Sequence, residues 1–140
     1  MIGIKKPQAD EIVKFIIETV TAEIKIVSND IITAFWQACA YKLFSHKVYV
    51  VIPEKYSEDD ILSLDSLCQL FGLGLVLFNS QKEDDFNFSL RVRPVKHEPD
   101  WYYANNNLKL VKKELFDWTN FKNKQRGKKE GRNMGETKMI

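Results

Sequence analysis

Glu23 and Lys25 are the residues of this 140-residue chain whose types and spacing have the clearest chemical use. Side chains two positions apart on a β-strand project from one face of the sheet, so a strand over 20–27 presents these two together. A preceding strand that begins at Asp10 can return as a hairpin and bring a second carboxylate level with them. Two carboxylates and a backbone carbonyl, for which Ile24 is the candidate, form the oxygen-rich site that Mg²⁺ or Mn²⁺ prefers.

A lysine beside such a metal ion has a chemical role. It can orient an attacking water or help to deprotonate it, and it can stabilise the charge that develops on a phosphate group. Two alternatives stay open: Glu23 and Lys25 could be a same-face ion pair on a solvated strand, and Glu11 competes with Asp10 as the first acidic ligand. A second Glu-x-Lys triplet, at 136–138, shows how readily this short motif arises by chance.

The hydrophobic pattern predicts the elements that would position these residues. Five strands are predicted at 10–17, 20–27, 47–53, 73–78 and 86–93. Three helices are predicted, from Asp30 to about Ser45, from Ser57 to Gly72 and over about 104–120. Two strand–helix–strand crossovers in succession favour an α/β fold, in which helices flank a mixed central sheet and the opening hairpin is antiparallel.

Residue spacing also predicts which side chains face the core. In the first helix these are Ile32, Phe35, Cys39 and Leu43, and in the second they are Ile61, Leu64, Leu67, Cys68 and Phe71. The last predicted strand alternates its apolar residues Phe86, Phe88, Leu90 and Val92 with polar ones. The last helix has an apolar stripe at Leu108, Val111, Leu115 and Trp118 and a polar face with Lys109, Lys112 and Lys113.

The order of these motifs resembles the PD-(D/E)XK nuclease superfamily, which includes many restriction endonucleases and Holliday-junction resolvases. The matching segments are Pro7-Gln8-Ala9-Asp10, Glu23-Ile24-Lys25, the helix from Asp30 and the strand Val48 to Pro53. Gln37 and Tyr41, four positions apart on that helix, are similar to the Q-x-x-x-Y element of RecB-like members. The resemblance covers roughly residues 5 to 80, and motif matches of this kind are hypotheses about function.

The resemblance implies a restriction-endonuclease-like fold and cleavage of DNA phosphodiester bonds that depends on Mg²⁺ or Mn²⁺. It implies that Asp10 and Glu23 are metal ligands, that Lys25 handles the attacking water, and that Gln37 and Tyr41 orient groups or contact the nucleic-acid backbone. Gln37 and Tyr41 could equally be the polar margin of an amphipathic helix. The chain departs from the superfamily pattern because no helix fits before Asp10 and because two residues separate Pro7 from Asp10.

Charge is distributed unevenly along the chain. Residues 121–140 contain seven basic and two acidic residues, whereas the first 120 residues have a net charge of −3. A basic segment of this kind indicates a polyanionic partner such as DNA, although it could also be only a solvated terminus. The residues expected to contact phosphates are Lys112, Lys113, Lys122, Lys124 and Arg126. We predict one α/β domain over 1–120, with its last helix at 104–120, followed by a basic tail at 121–140.

The sequence predicts a cytoplasmic protein without a membrane partner. Its apolar runs are shorter than the ~20 residues that a membrane span needs, and residues 1–6 lack the apolar stretch that is typical of a signal peptide. Cys39 and Cys68 are interpreted as reduced core residues, since neither has the spacing of a zinc site. His46 and His97 have no partner at ligand spacing and are expected at the surface.

We therefore predict a metal-dependent deoxyribonuclease that needs no small-molecule organic cofactor. The alternative is a catalytically inactive module of the nuclease fold that binds nucleic acid or serves as a homodimeric assembly subunit. A homodimer is expected in either case, because a sheet without the usual first helix leaves an apolar face. Three consecutive aromatic residues, Trp101, Tyr102 and Tyr103, could stack on bases or could pack against a core or a dimer partner.

Overall fold

The computed structural model describes residues 1–5, 7–10, 12, 17–26, 30–81 and 84–111. The chain divides into two compact units, Met1–Ala104 and Asn105–Ile140. The elements of the first unit are β1 (Ile2–Lys5), β2 (Glu18–Ile24), α1 (Ile31–Tyr41), β3 (Lys47–Pro53), α2 (Glu58–Phe71), β4 (Gly74–Phe78) and β5 (Ser89–Val92). Residues 101–111 are helical, and the predicted helical residues 112–120 and the basic tail lie outside the described residues.

The strands form one mixed sheet in the order β1-β2-β3-β4-β5. β2, β3 and β4 are parallel, and the edge strands β1 and β5 each run antiparallel to their neighbour. α1 packs on β2 and β3, α2 packs on β4 and β5, and the two helices contact each other, so both lie on one face of the sheet. The predicted α/β fold with a mixed sheet and two successive crossovers is confirmed at this level.

The core lies between that face and the two helices. Val48, Val50 and Ile52 alternate along β3 with half-buried residues and point toward the helices. Leu75 and Leu77 do the same on β4. The helices contribute the buried side chains Ile31, Ala34, Phe35, Ala38, Leu64 and Cys68, with Cys39, Ile61 and Leu67 packed against them.

Part of the predicted core is wrong. Ile32 and Leu43 are 42% and 46% exposed, and Phe71 is 40% exposed. The buried stripe of α1 begins at Ile31, one position earlier than predicted, and Ile32 lies about 100° away from it around the helix axis. Leu43 follows the end of α1 at Tyr41 and lies in a turn, so helical spacing no longer applies to it.

The predicted first strand at 10–17 is wrong in its described parts. Asp10 lies in a turn, residue 12 in a bend, and Ile17 precedes β2, while 11 and 13–16 lie outside the described residues. The strand that pairs antiparallel with β2 is instead β1, from Ile2↔Thr21 to Lys5↔Glu18. The second predicted strand is displaced accordingly, because β2 begins at Glu18 and ends at Ile24.

The predicted helix starts and the end of α2 are confirmed. Asp30 caps α1, with its Oδ1 accepting a hydrogen bond from the Thr33 N–H at 3.1 Å. Ser57 caps α2 by accepting from the Asp60 N–H at 3.2 Å. Gly72 ends α2 with a φ of 71°, a left-handed conformation that glycine adopts without a steric penalty.

The second half of the sheet follows the prediction with two shortened strands. β3 has the predicted bounds, and β4 begins one residue late, at Gly74, which packs beneath the ring of Tyr49. β5 covers half of the predicted 86–93, and its extended run is interrupted at Asn87, whose φ is 42°. Within the described part of the chain, none of the helices is long and apolar enough to cross a membrane.

Candidate functional site

Glu23 is the centre of the candidate site. It lies one residue before the end of β2, on the face that α1 covers. Lys25 Nζ is 3.2 Å from Glu23 Oε1, as expected for residues two apart on an extended chain. Tyr41, in the last turn of α1, donates its hydroxyl to Glu23 Oε2 at 2.6 Å. Both carboxylate oxygens therefore have a partner, one cationic and one neutral.

The surroundings of Tyr41 keep its hydroxyl protonated. The pKa of Tyr41 is raised to about 12, first by its hydrogen bond to Glu23, then by burial and then by the negative charge of Glu23. A phenol with this pKa donates hydrogen bonds at physiological pH and does not act as a base. Tyr41 therefore holds the Glu23 carboxylate in place. The side chain of Lys25, which is 27% exposed, contacts the same carboxylate.

Gln37 lies four residues before Tyr41 on α1, so the two side chains project from the same side of the helix. It is exposed, and its amide makes no hydrogen bond with another described residue. The structure therefore brings Glu23, Lys25 and Tyr41 into direct contact and leaves Gln37 beside them with free donor and acceptor groups.

Asp10 does not join this group. It is exposed and lies in the connection between β1 and β2. This connection begins after Lys5, which pairs with Glu18 at the start of β2, whereas Glu23 lies near the end of β2. It makes no hydrogen bond or ion pair with Glu23 or Lys25, all three being described residues. The rival ligand Glu11 lies outside the described residues.

The part of the chain that is described does not complete a metal site. It contains no group of three or more histidine, cysteine, aspartate or glutamate side chains that could hold a metal ion. Glu23 is the carboxylate that contacts Lys25 and Tyr41, and Ile24 is 39% exposed at the end of β2. Mg²⁺ usually takes one or two carboxylates together with water and substrate phosphates, so these residues alone do not define where it would bind.

A second lysine near the site was missed by the sequence analysis. Lys55 Nζ donates to the carbonyl oxygen of Ile26 at 3.4 Å, just beyond the end of β2. The signal for it was available, because Lys55 follows the end of β3 and the carboxyl ends of neighbouring parallel strands lie at the same edge of a sheet. The predicted phosphate-binding residues Lys112, Lys113, Lys122, Lys124 and Arg126 lie outside the described residues.

The prediction of a surface position for His46 is wrong. His46 is 3% exposed, and its ring Nδ1 accepts a hydrogen bond from the Thr19 backbone N–H at 3.0 Å. The backbone N–H of His46 donates to the Thr19 carbonyl oxygen at 2.9 Å. The ring of Trp101 covers it edge-on, with ring centroids 5.5 Å apart. His97 is half-buried, and its Nε2 is 2.6 Å from the Lys42 carbonyl oxygen. The segment that follows β5 therefore buries both histidines.

His46 should make the fold sensitive to mild acid. Burial lowers the pKa of His46, an effect that Lys96 and His97 reinforce and that Glu98 and Glu18 oppose. The unfolded chain therefore binds this proton more readily, and the stability that neutral His46 contributes is lost as pH falls below about 6.5. Urea unfolding at a series of pH values between about 7.5 and 5 should show this loss.

The matched variant for this measurement is His46→Asn, whose side-chain oxygen can still accept from the Thr19 N–H. We expect the free energy of unfolding of the variant to depend less on pH across this range than that of the parent. The lowered pKa of Glu18, caused first by its hydrogen bond to Lys47, acts at lower pH and leaves the comparison unaffected. Parallel pH profiles for the two proteins would show that His46 is not the titrating group.

Comparison with known proteins adds no external assignment. No family model, curated protein or solved structure matches the chain. A functional interpretation therefore depends on the contacts among Glu23, Lys25 and Tyr41 and on the order of the elements that bring them together.

Proposed function

We propose that this chain is a nuclease that hydrolyses phosphodiester bonds in DNA, with Glu23, Lys25 and Tyr41 at the centre of its site. One observation carries the proposal: the carboxylate of Glu23 is held between Lys25 Nζ at 3.2 Å and the Tyr41 hydroxyl at 2.6 Å. These are residues of the Glu-x-Lys and Q-x-x-x-Y elements on which the resemblance to PD-(D/E)XK nucleases rests. The contact between Tyr41 and Glu23 joins the two elements across 18 positions of sequence.

Each residue has a defined part in this proposal. Lys25 presents an ammonium group that stabilises negative charge developing on the scissile phosphate. Glu23 orients Lys25 and can accept a hydrogen bond from the attacking water. Tyr41 is a positioning residue, because its hydroxyl is committed to Glu23. Gln37 is free to donate to the DNA backbone from the next turn of α1.

The resemblance also implies Mg²⁺ or Mn²⁺, for which Glu23 is the carboxylate in contact with Lys25 and Tyr41. The basic residues at 112–126 belong to the proposal as contacts to DNA phosphates. A cytoplasmic setting also belongs to it, and the free thiols of Cys39 and Cys68 support a reducing compartment.

The proposal is tested by incubating the purified full-length chain with plasmid, branched and single-stranded DNA in Mg²⁺, in Mn²⁺ and in a chelator. We expect cleavage by the parent and a loss of about 100-fold or more in Glu23→Gln, which keeps the shape of the side chain and removes its charge. Glu58→Gln, an exposed substitution in the first turn of α2, is the matched control and should cut at the parent rate. Absence of cleavage on every substrate, or equal rates for Glu23→Gln and the parent, would contradict the proposal.

A second candidate is a catalytically inactive module that binds nucleic acid or serves as a homodimeric assembly subunit. It is favoured by the position of Asp10, which is exposed and makes no contact with Glu23. Calorimetry with Mn²⁺ separates the two candidates. Metal binding that is lost in Glu23→Gln supports the nuclease, whereas salt-dependent DNA binding without metal uptake supports the module.

A further inference from the structure

β5 is an edge strand of the sheet, and exposed apolar side chains lie on it and on the residues that lead into it. Phe86, Phe88 and Leu90, here called the β5 patch, are 46%, 66% and 49% exposed. The rings of Phe86 and Phe88 lie 6.1 Å apart, and each lies 6.1 Å from the ring of the buried Phe78. An exposed apolar edge strand is a template for pairing with a further strand.

The sequence around the patch has more strand character than the sheet uses. Alternating apolar and polar residues run from 86 to 93, yet only Ser89–Val92 pairs with β4. The extended run stops because Asn87 has a φ of 42° and its N–H donates to Asp85 Oδ1 at 3.2 Å. Asparagine tolerates the left-handed region better than most residues with a side chain, so pairing of residues 86–88 with a neighbouring strand requires Asn87 to leave a conformation that suits it.

Charge identifies the strand that fits this edge. Exposed acidic residues, Asp84 and Asp85, precede the patch, and exposed basic residues, Arg91 and Arg93, follow it. An antiparallel copy of the same segment therefore places acids opposite bases at both ends. Opposite charges that face each other across two strands stabilise the pairing, and like charges weaken it. A segment with this pattern is complementary to itself, which is the requirement for a two-fold interface.

The faces of the strand restrict the register to a two-fold axis that passes through a residue. Phe88 and Leu90 share a face, and paired residues of an antiparallel ladder point to the same side, so even positions lie opposite even positions as far as Leu90, beyond which β5 has a register shift against β4. A two-fold axis at Phe88 meets this condition and places Phe86 opposite Leu90 and Asp85 opposite Arg91 of the second copy. The ion pair of Arg91 Nε with Asp65 Oδ2 within one chain is 3.6 Å long, and the Arg91 side chain is 41% exposed, so Arg91 can also reach a second copy.

We propose that residues 84–92 of one copy pair antiparallel with the same segment of a second copy about a two-fold axis at Phe88, so that β5 of each copy lies opposite residues 84–87 of the other. The apolar row that crosses the sheet through Ile24, Val51, Val76 and Leu90 then continues into the second copy. This interface lies at the edge of the sheet rather than on the open face from which the sequence predicted a homodimer. It does not depend on the nuclease activity.

The mass of the full-length chain in solution, measured by analytical ultracentrifugation at micromolar concentrations, tests the interface. The parent should be a dimer and Phe88→Glu a monomer, because the substitution places two carboxylates at the axis. Leu70→Glu, at a 77% exposed position on α2, is the control and should remain dimeric. Circular dichroism should show that both variants keep the parent fold. A monomeric parent, or a dimeric Phe88→Glu, would overturn the proposal.

A pair of charge reversals tests the register. Asp85→Arg and Arg91→Asp should each weaken self-association by about tenfold or more, since each places like charges opposite one another at two symmetric positions. An equimolar mixture of the two variants should associate as well as the parent, because every reversed residue then faces an opposite charge. Failure of the mixture to associate would show that Asp85 and Arg91 do not face each other and would contradict this register.

Discussion

Replacing Phe35 with alanine is expected to lower the free energy of unfolding by about 3–5 kcal/mol. Phe35 is fully buried at the centre of α1, and its ring lies edge-on to Trp36 and Phe71, with centroids 5.1 and 5.4 Å away. The substitution leaves a cavity between α1 and the sheet that neither rigid layer can close completely. Urea unfolding followed by far-ultraviolet circular dichroism measures the change.

Two further variants show whether the loss depends on burial. Leu70→Ala, at an exposed position of α2, should change the free energy of unfolding by less than about 0.5 kcal/mol. Ile31→Ala should cost more than Ile32→Ala, because Ile31 is buried and Ile32 is exposed. A cost for Phe35→Ala below about 1 kcal/mol, or a larger cost at Ile32 than at Ile31, would show that α1 packs on a different face.

The elements that the sequence predicts best are those with local signals. β3 is a nearly continuous apolar run and has the predicted bounds. α2 begins after a serine cap and ends at a glycine, and each signal acts within one helical turn. The crossover order then follows from the alternation of strands and helices, which is why the mixed α/β sheet was predictable without any knowledge of tertiary contacts.

The first strand and the buried face of α1 depend on information that the local pattern does not contain. Residues 10–17 have strong strand character, yet the four residues of β1 pair with β2 because contacts distant in sequence decide between the two segments. Ile31 and Ile32 are both apolar, so the pattern of α1 can be placed in two rotations. The Asp30 cap fixes the first residue of the helix but not the face that packs on the sheet.

The candidate site likewise contains contacts that local spacing predicts and contacts that depend on segments distant in sequence. The ion pair of Glu23 and Lys25 follows from the two-residue repeat of a strand and was predictable. The hydrogen bond from Tyr41 depends on how far α1 runs back across β2, which spacing alone does not determine. The convergence of Asp10 with Glu23 was expected from a first strand that the structure places elsewhere. The burial of His46 results from the segment after β5, some fifty residues later in sequence.

Replacing Lys25 with methionine is expected to lower the rate of DNA cleavage by about 100- to 1000-fold, the range for loss of one charge-stabilising donor. Methionine keeps most of the length and apolar volume of the lysine and removes the ammonium group next to Glu23. Cleavage of a labelled duplex under single-turnover conditions measures the chemical step, and the dissociation constant for DNA is measured separately in the presence of a chelator.

The two measurements distinguish a part in chemistry from a part in binding. A single partly exposed lysine contributes modestly to a DNA affinity that many phosphate contacts share, so Lys25→Met should bind DNA nearly as well as the parent. Lys55→Met is the matched control: it removes an exposed ammonium group at the same edge of the sheet that makes no contact with Glu23. It should weaken binding as much as Lys25→Met and cut much faster. Equal cleavage rates for the two variants would mean that Lys25 only attracts DNA, and the part given to it in catalysis would be wrong.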